Sequence, residues 1–144
     1  KANWEKIKLK EGGGTSPKKL FDGVPKSLPS MVKAVRIQQK ARGVGFDWDN
    51  KNQVWEKVQE ELQEFKEAES KEEREKEFGD VLFSLINYAR FVEIDPEQAL
   101  EKTNKKFIKR FTNMEEAILK DGKDLAEMNL AQIDTYWNAA KKHD

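Results

Sequence analysis

The 144-residue chain predicts an all-α domain, a bundle of four to five helices, on three observations. Apolar residues recur at spacings of three, four and seven over several long segments, and no stretch alternates at period two. Helix start and stop residues bound those segments. Hydrophobic residues make up 37% and charged residues 38%, the balance of solvated helices that each bury one stripe.

Taken in order, Asn3–Glu11 (NWEKIKLKE) could form a short helix, but it carries few apolar residues and stops at Gly12-Gly13-Gly14. The Gly-, Pro-, Ser- and Lys-rich composition that follows predicts a tail or interdomain linker over residues 1–26 and a folded domain over 27–144. Pro29 suits the first position of a helix, because it needs no N–H there and fixes φ. Met31, Ala34, Val35, Gln38 and Ala41 carry that helix to Gly43. A loop with two large aromatics, Phe46 and Trp48, leads to Asn50, a cap for a second helix reaching about Glu69. Its apolar stripe is Val54, Trp55, Val58, Leu62 and Phe65. Ser70 caps a third helix over about 71–92. Asp95-Pro96-Glu97-Gln98 opens a fourth, with Asp as cap, Pro first and Gln three residues after the cap. Leu100, Phe107, Phe111, Met114 and Ile118 mark its buried side. A last helix over about 130–142 offers Ile133, Tyr136, Trp137 and Ala140.

Charge and composition exclude several classes of function. The 27 basic and 27 acidic side chains cancel, so bulk charge argues for neither nucleic acid nor an anionic membrane as partner. Without Cys there is no disulfide and no thiolate metal site. No apolar run approaches the roughly 20 residues that span a bilayer, and no signal-peptide pattern opens the chain. These features predict a soluble, cytoplasmic protein. The chain begins at Lys1 rather than Met, which predicts a fragment or a processed chain.

The chemistry concentrates in two acidic stretches, Glu60–Glu64 (EELQE) and Glu77–Asp80 (EFGD). At about 100° per residue, Glu61 falls inside the apolar arc of the second helix, Glu64 lies on its edge and Glu60 points away. The third helix is apolar over most of its circumference and is cut by a polar line of Glu77, Asp80, Ser84 and Asn87, with Glu75, Lys76, Gly79 and Arg90 on the solvent side. A Glu-x-x-Glu on an acidic helix is ordinarily just surface. Two carboxylate pairs on consecutive helices, each intruding into apolar surface, instead predict a buried site that a hard cation fills. All-oxygen ligands favour Mg²⁺ or Mn²⁺ over Zn²⁺. A di-iron bundle needs Glu-x-x-His on two helices, whereas the single histidine, His143, lies next to the C-terminal residue.

Mg²⁺ held by few carboxylates commonly works on phosphate, which calls for compensating cations. Lys106 and Arg110, four apart on the fourth helix, could supply them, although a Lys-rich helix face is most often simply solvated. Arg42, Phe46 and Trp48 could stack on a base, although loop aromatics more often plug the end of a bundle.

The segments SLPSMVKAVRIQQKARGVGFDW, EELQEF, EFGDVLFSLINYARF and IDPEQALEKTNKKFIKRF resemble the C-terminal domain of MazG-type nucleoside triphosphate pyrophosphohydrolases over roughly residues 25–142. NWEKIK resembles the end of the connection from a preceding domain. The resemblance implies an all-α pyrophosphatase fold, a homodimer, and Mg²⁺-dependent cleavage of NTPs and dNTPs to monophosphate and pyrophosphate. By motif, it implies Glu61, Glu64, Glu77 and Asp80 as metal ligands and Lys106 and Arg110 as triphosphate contacts. It also places Asn87 and Trp137 near the nucleotide, with Arg42 and Trp48 in a characteristic family segment. One departure is Val92-Glu93-Ile94, where relatives commonly place Gly; Glu93 is expected to alter that turn rather than the chemistry.

Three functional readings follow. The first is pyrophosphohydrolysis, with the carboxylates holding Mg²⁺ on the triphosphate while water attacks the α–β linkage. The second is the same chemistry on a narrower substrate, such as dUTP or a modified nucleotide. The third is a non-catalytic helical oligomerisation module, since the third helix is more apolar than a single four-helix chain needs.

Overall fold

A computed structural model describes residues 19–144, and the expected short helix over residues 3–11 lies outside the described residues. Among the described residues five α-helices follow one another: α1 (Ser30–Gly43), α2 (Lys51–Glu67), α3 (Lys71–Phe91), α4 (Pro96–Lys120) and α5 (Leu130–Lys141), with a 3₁₀ turn over Leu125–Glu127. No strand occurs among the described residues, so the all-α expectation holds. The helices divide into two compact units, one ending at Glu97 and the other running Gln98–Asp144.

In the first unit α2 and α3 form a close helical hairpin, and α1 lies more lightly against α3. The hairpin forms because both of its helices start at strong caps. Asn50 Oδ1 accepts from Gln53 N at 3.1 Å, and Ser70 Oγ accepts from Glu73 N at 3.1 Å. Val54 and Val58 of α2 and Val81 and Ile86 of α3 supply the buried apolar surface. Phe65 meets Phe78 edge-on at 5.5 Å, and Trp55 tilts against Tyr88 at 4.9 Å, fixing the register along the pair. Pro29 corrects one expectation: it is the residue before the first helical turn, with an extended ψ of 145°, and Ser30 begins the helix.

α1, α3 and α4 end in the same way. After α1, Gly45 at φ 92° lets its own N–H reach Arg42 O and that of Phe46 reach Ala41 O. After α4, Gly122 at φ 71° does the same. Both are Schellman caps, which need a left-handed residue. After α3 that position falls to Glu93, at φ 60°, with Glu93 N bonded to Arg90 O at 3.2 Å and Ile94 N to Ala89 O at 2.8 Å. Glu93 therefore does not alter the turn, contrary to the sequence expectation. It accepts the conformation a glycine would take, because two backbone hydrogen bonds outweigh the Cβ clash.

The second unit is built on the later turns of α4. Met114, Ile118 and Ala140 are buried, with Phe111, Leu125, Met128, Ile133, Tyr136 and Trp137 packed around them. The 3₁₀ turn, which periodicity did not reveal, is capped by Asp124 and carries Leu125 onto that core. α5 starts from a reciprocal capping box between Asn129 and Gln132. No helix among the described residues is long and apolar enough to cross a membrane.

Candidate functional site

The helical hairpin brings together Glu61 from α2 with Glu77 and Asp80 from α3, each offering a carboxylate oxygen within 4.8 Å of the others. Glu61 is only 6% exposed, as its place in the apolar arc requires. Glu61 Oε2 and Glu77 Oε2 are both buried and have no hydrogen-bond partner among the described residues. Unpartnered buried carboxylate oxygens are costly, and like charges at this spacing add to the cost. A hard divalent cation removes both penalties at once, so the donor set fits Mg²⁺ or Mn²⁺.

Glu64, one turn beyond Glu61, stays on the surface and lies outside that trio. It still feels the cluster: the negative charge of Glu61, then loss of solvation and the charge of Glu77, push its carboxyl above the usual range. Glu60 is exposed, as its helical angle predicts. On the α2 side Lys57 Nζ lies 3.0 Å from Glu61 Oε1 and 3.4 Å from Glu60 Oε1. The bond to Glu61 raises the Lys57 pKa, so the ammonium is held charged. Sequence reasoning missed Lys57, although its place four residues before Glu61 was a signal in plain view.

A cavity of about 530 Å³ opens farther along α3, lined mainly by apolar atoms of Leu20, Ile37, Phe46, Trp48 and Phe83, with Gln38, Asp47, Asn87 and Arg90 as its polar members. Asp80 and Asn87 stand two helical turns apart, about 10 Å at 1.5 Å per residue, so the acidic trio and this cavity share one helix. Arg90 corrects the sequence reading, which put it on the solvent side. Its side chain is 13% exposed because Asp47 of the aromatic loop draws it in, at 3.2 and 3.4 Å. Arg90 Nη2 also donates to Asn87 Oδ1 at 2.5 Å, which accounts for the Asn87 orientation. Arg42 meets the same carboxylate from outside at 3.2 Å and remains half exposed. Trp48 and the far more exposed Phe46 flank Asp47 and line the cavity.

Gln38, one of the residues whose helical spacing carries α1 to Gly43, is buried and donates through Nε2 to Phe83 O at 3.0 Å. Its Oε1, like Arg90 Nε, has no partner among the described residues. Ser84, on the predicted polar line, is buried and satisfied by Val81 O at 2.8 Å. Asp47 was the signal that could have located this site, an acid set between two large aromatics.

In the second unit Arg110 lies over the Trp137 ring at 5.1 Å, so two of the expected contacts meet. Arg110 Nε donates to Asp144 Oδ2 at 2.7 Å. Lys106, one turn before Arg110, is exposed. His143 is an exposed residue beyond the end of α5.

Residues 50–114 match the MazG nucleotide pyrophosphohydrolase domain, taking in the acidic cluster, Asn87, Lys106 and Arg110. The chain carries a MazG domain. Arg42, Trp48 and Trp137 lie outside the span of that domain match. The chain is similar to the nucleoside triphosphate pyrophosphohydrolase/pyrophosphatase MazG of Thermotoga maritima, at 46% identity over 98% of this chain and 55% of the relative. It is 32% identical to a nucleoside triphosphate pyrophosphohydrolase of Escherichia coli K12, over 99% of this chain and 56% of that protein. An uncharacterized Bacillus subtilis protein, YabN, is 48% identical over 98% of this chain and 29% of its own length. The chain thus spans about half the length of the MazG relatives it matches.

Proposed function

We propose that the chain is a Mg²⁺-dependent nucleoside triphosphate pyrophosphohydrolase, cleaving NTPs and dNTPs to the monophosphate and pyrophosphate. The observation that carries this reading is the pair of buried, unpartnered oxygens on Glu61 and Glu77, beside Asp80, inside a MazG domain. Glu61, Glu77 and Asp80 hold the cation, Glu64 completes the acidic set from the surface, and Mn²⁺ can substitute. The bound cation supplies Lewis-acid polarisation and charge compensation on the triphosphate. Lys106 and Arg110 offset negative charge on the polyphosphate as the α–β bond breaks. Trp48 and Arg42 contribute to the base end, where the cavity offers an apolar slot with a few polar atoms, those of Asn87 among them. Trp137 adds an aromatic face beside Arg110.

On this reading residues 27–144 are the catalytic domain and 1–26 an N-terminal tail or interdomain linker. Phe78, Leu82, Phe83 and Leu85 on α3 are each at least 41% exposed, which favours a homodimer that covers part of this surface. The protein works in the cytoplasm on free nucleotides, with neither nucleic acid nor membrane as partner. A narrower substrate range has one observation in its favour: Gln38, in the wall of the cavity, has an Oε1 with no partner among the described residues, a feature suited to selecting a base.

A panel of NTPs, dNTPs and modified nucleotides, assayed for pyrophosphate release with Mg²⁺ and with Mn²⁺, tests these readings together. Release from many substrates supports the broad enzyme, and release from one supports the selective one. No release from any, with no nucleotide-induced thermal shift, sinks both and leaves the oligomerisation module.

A further inference from the structure

Glu61 has its two oxygens in different situations. Oε1 is held by Lys57 Nζ at 3.0 Å, while Oε2 is buried without a partner among the described residues. Lys57 is itself 38% exposed and sits one turn before Glu61 on α2, so its ammonium approaches from the solvent side of a carboxylate that is 8% exposed. The same ammonium reaches Glu60 Oε1 at 3.4 Å. Glu61, Glu77 and Asp80 would otherwise bring three negative charges together. A cation placed at one edge of such a cluster does two things. It lowers the repulsion among the carboxylates, and it opposes the arrival of a second cation.

We propose that Lys57 is a built-in counter-ion of the acidic site, stabilising the metal-free chain and setting its affinity for divalent cations by competing for Glu61. This inference rests on reading the acidic trio as a metal site. Lys57 is a positioning residue that acts through Glu61, fixing the rotamer that leaves Oε2 free. When a divalent ion takes up the negative charge, the Lys57 contact loses most of its value and the long, exposed side chain can swing into water. The ordinary alternative is a helix-surface ion pair at i,i+4, with a small effect that is the same with and without metal.

The test compares wild type, K57M and K57R by thermal melting without metal and in saturating Mg²⁺, with Mg²⁺ and Mn²⁺ affinities from calorimetry. K57M is expected to melt roughly 2–4 °C below wild type without metal and to recover most of that deficit in Mg²⁺. It is also expected to bind Mg²⁺ roughly three- to tenfold more tightly, since the competing charge is gone. K57R, which keeps the charge, should stay near wild type in both measurements. K57Q carries the comparison if K57M does not fold. An equal deficit with and without Mg²⁺, or a K57M affinity no tighter than wild type, overturns the inference while leaving the metal site standing. A wild type that neither binds Mg²⁺ nor shifts with it overturns the metal reading and this inference with it.

Discussion

Asp47 and Arg90 lie 43 residues apart in sequence, yet the carboxylate of one receives both terminal nitrogens of the other, at 3.2 and 3.4 Å. The pair ties the aromatic loop to α3 at the cavity that Phe46 and Trp48 line. Asp47→Asn leaves a partly buried guanidinium without its counter-charge and is expected to cost about 1.5–3 kcal/mol of stability. If the loop forms the base end of the site, the same variant raises KM more than it lowers kcat. Urea midpoints and steady-state kinetics check the two parts separately.

The acidic trio predicts a sharp metal dependence. Glu61→Gln and Asp80→Asn each remove a ligand charge, and each is expected to abolish most of the Mg²⁺-induced rise in melting temperature. Pyrophosphate release should fall by two or more orders of magnitude, the scale of losing metal-based charge stabilisation. Full activity in both variants would remove these residues from the metal site. Chelation of wild type with EDTA should reproduce the loss, and added Mg²⁺ should restore it.

Glu93 is a built-in destabiliser at a position suited to glycine. Glu93→Gly relieves the left-handed strain at φ 60° but frees the unfolded chain, so the expected net gain is about 0.5–1 kcal/mol. Chemical denaturation reads this directly, and activity should not change. A loss of stability would mean that the Glu93 side chain makes a contribution larger than its backbone strain.

Acid should weaken the second unit through Asp144. Arg110 holds this carboxyl below its ordinary value of 3.8, aided by the charges of Lys106 and Lys109. A carboxyl with a depressed native pKa contributes stability that is fully present above 3.8 and is lost as pH falls through the lower, native value. Asp144→Asn removes that contribution. Its melting temperature should therefore fall less steeply than that of wild type on acidification below about pH 4. Matching slopes for the two proteins would rule out this linkage.

Much of the site was legible because helical angle is a local property. The spacing of Glu61 among Val54, Val58 and Leu62 was enough to place a carboxylate in an apolar arc, and its 6% exposure agrees. The line Glu77–Asp80–Ser84–Asn87 was likewise fixed by α3 alone. Arg90 escaped that logic: it stands one turn beyond Asn87 at the edge of the line, and its long side chain is drawn inward by an acid from another segment. Gln38 escaped for a related reason, since the Phe83 carbonyl that holds it lies on a different helix.

By itself the sequence determined the helices, most of their caps and the residues that each helix turns inward, because hydrogen bonding and side-chain direction repeat every few residues. Only the tertiary structure decided that Glu61 meets Glu77 and Asp80, that Asp47 closes on Arg90, and that Glu93 takes a glycine's conformation. Those outcomes depend on the path of the chain between elements and on which strained or charged arrangement its neighbours can sustain. Periodicity along a single helix carries neither.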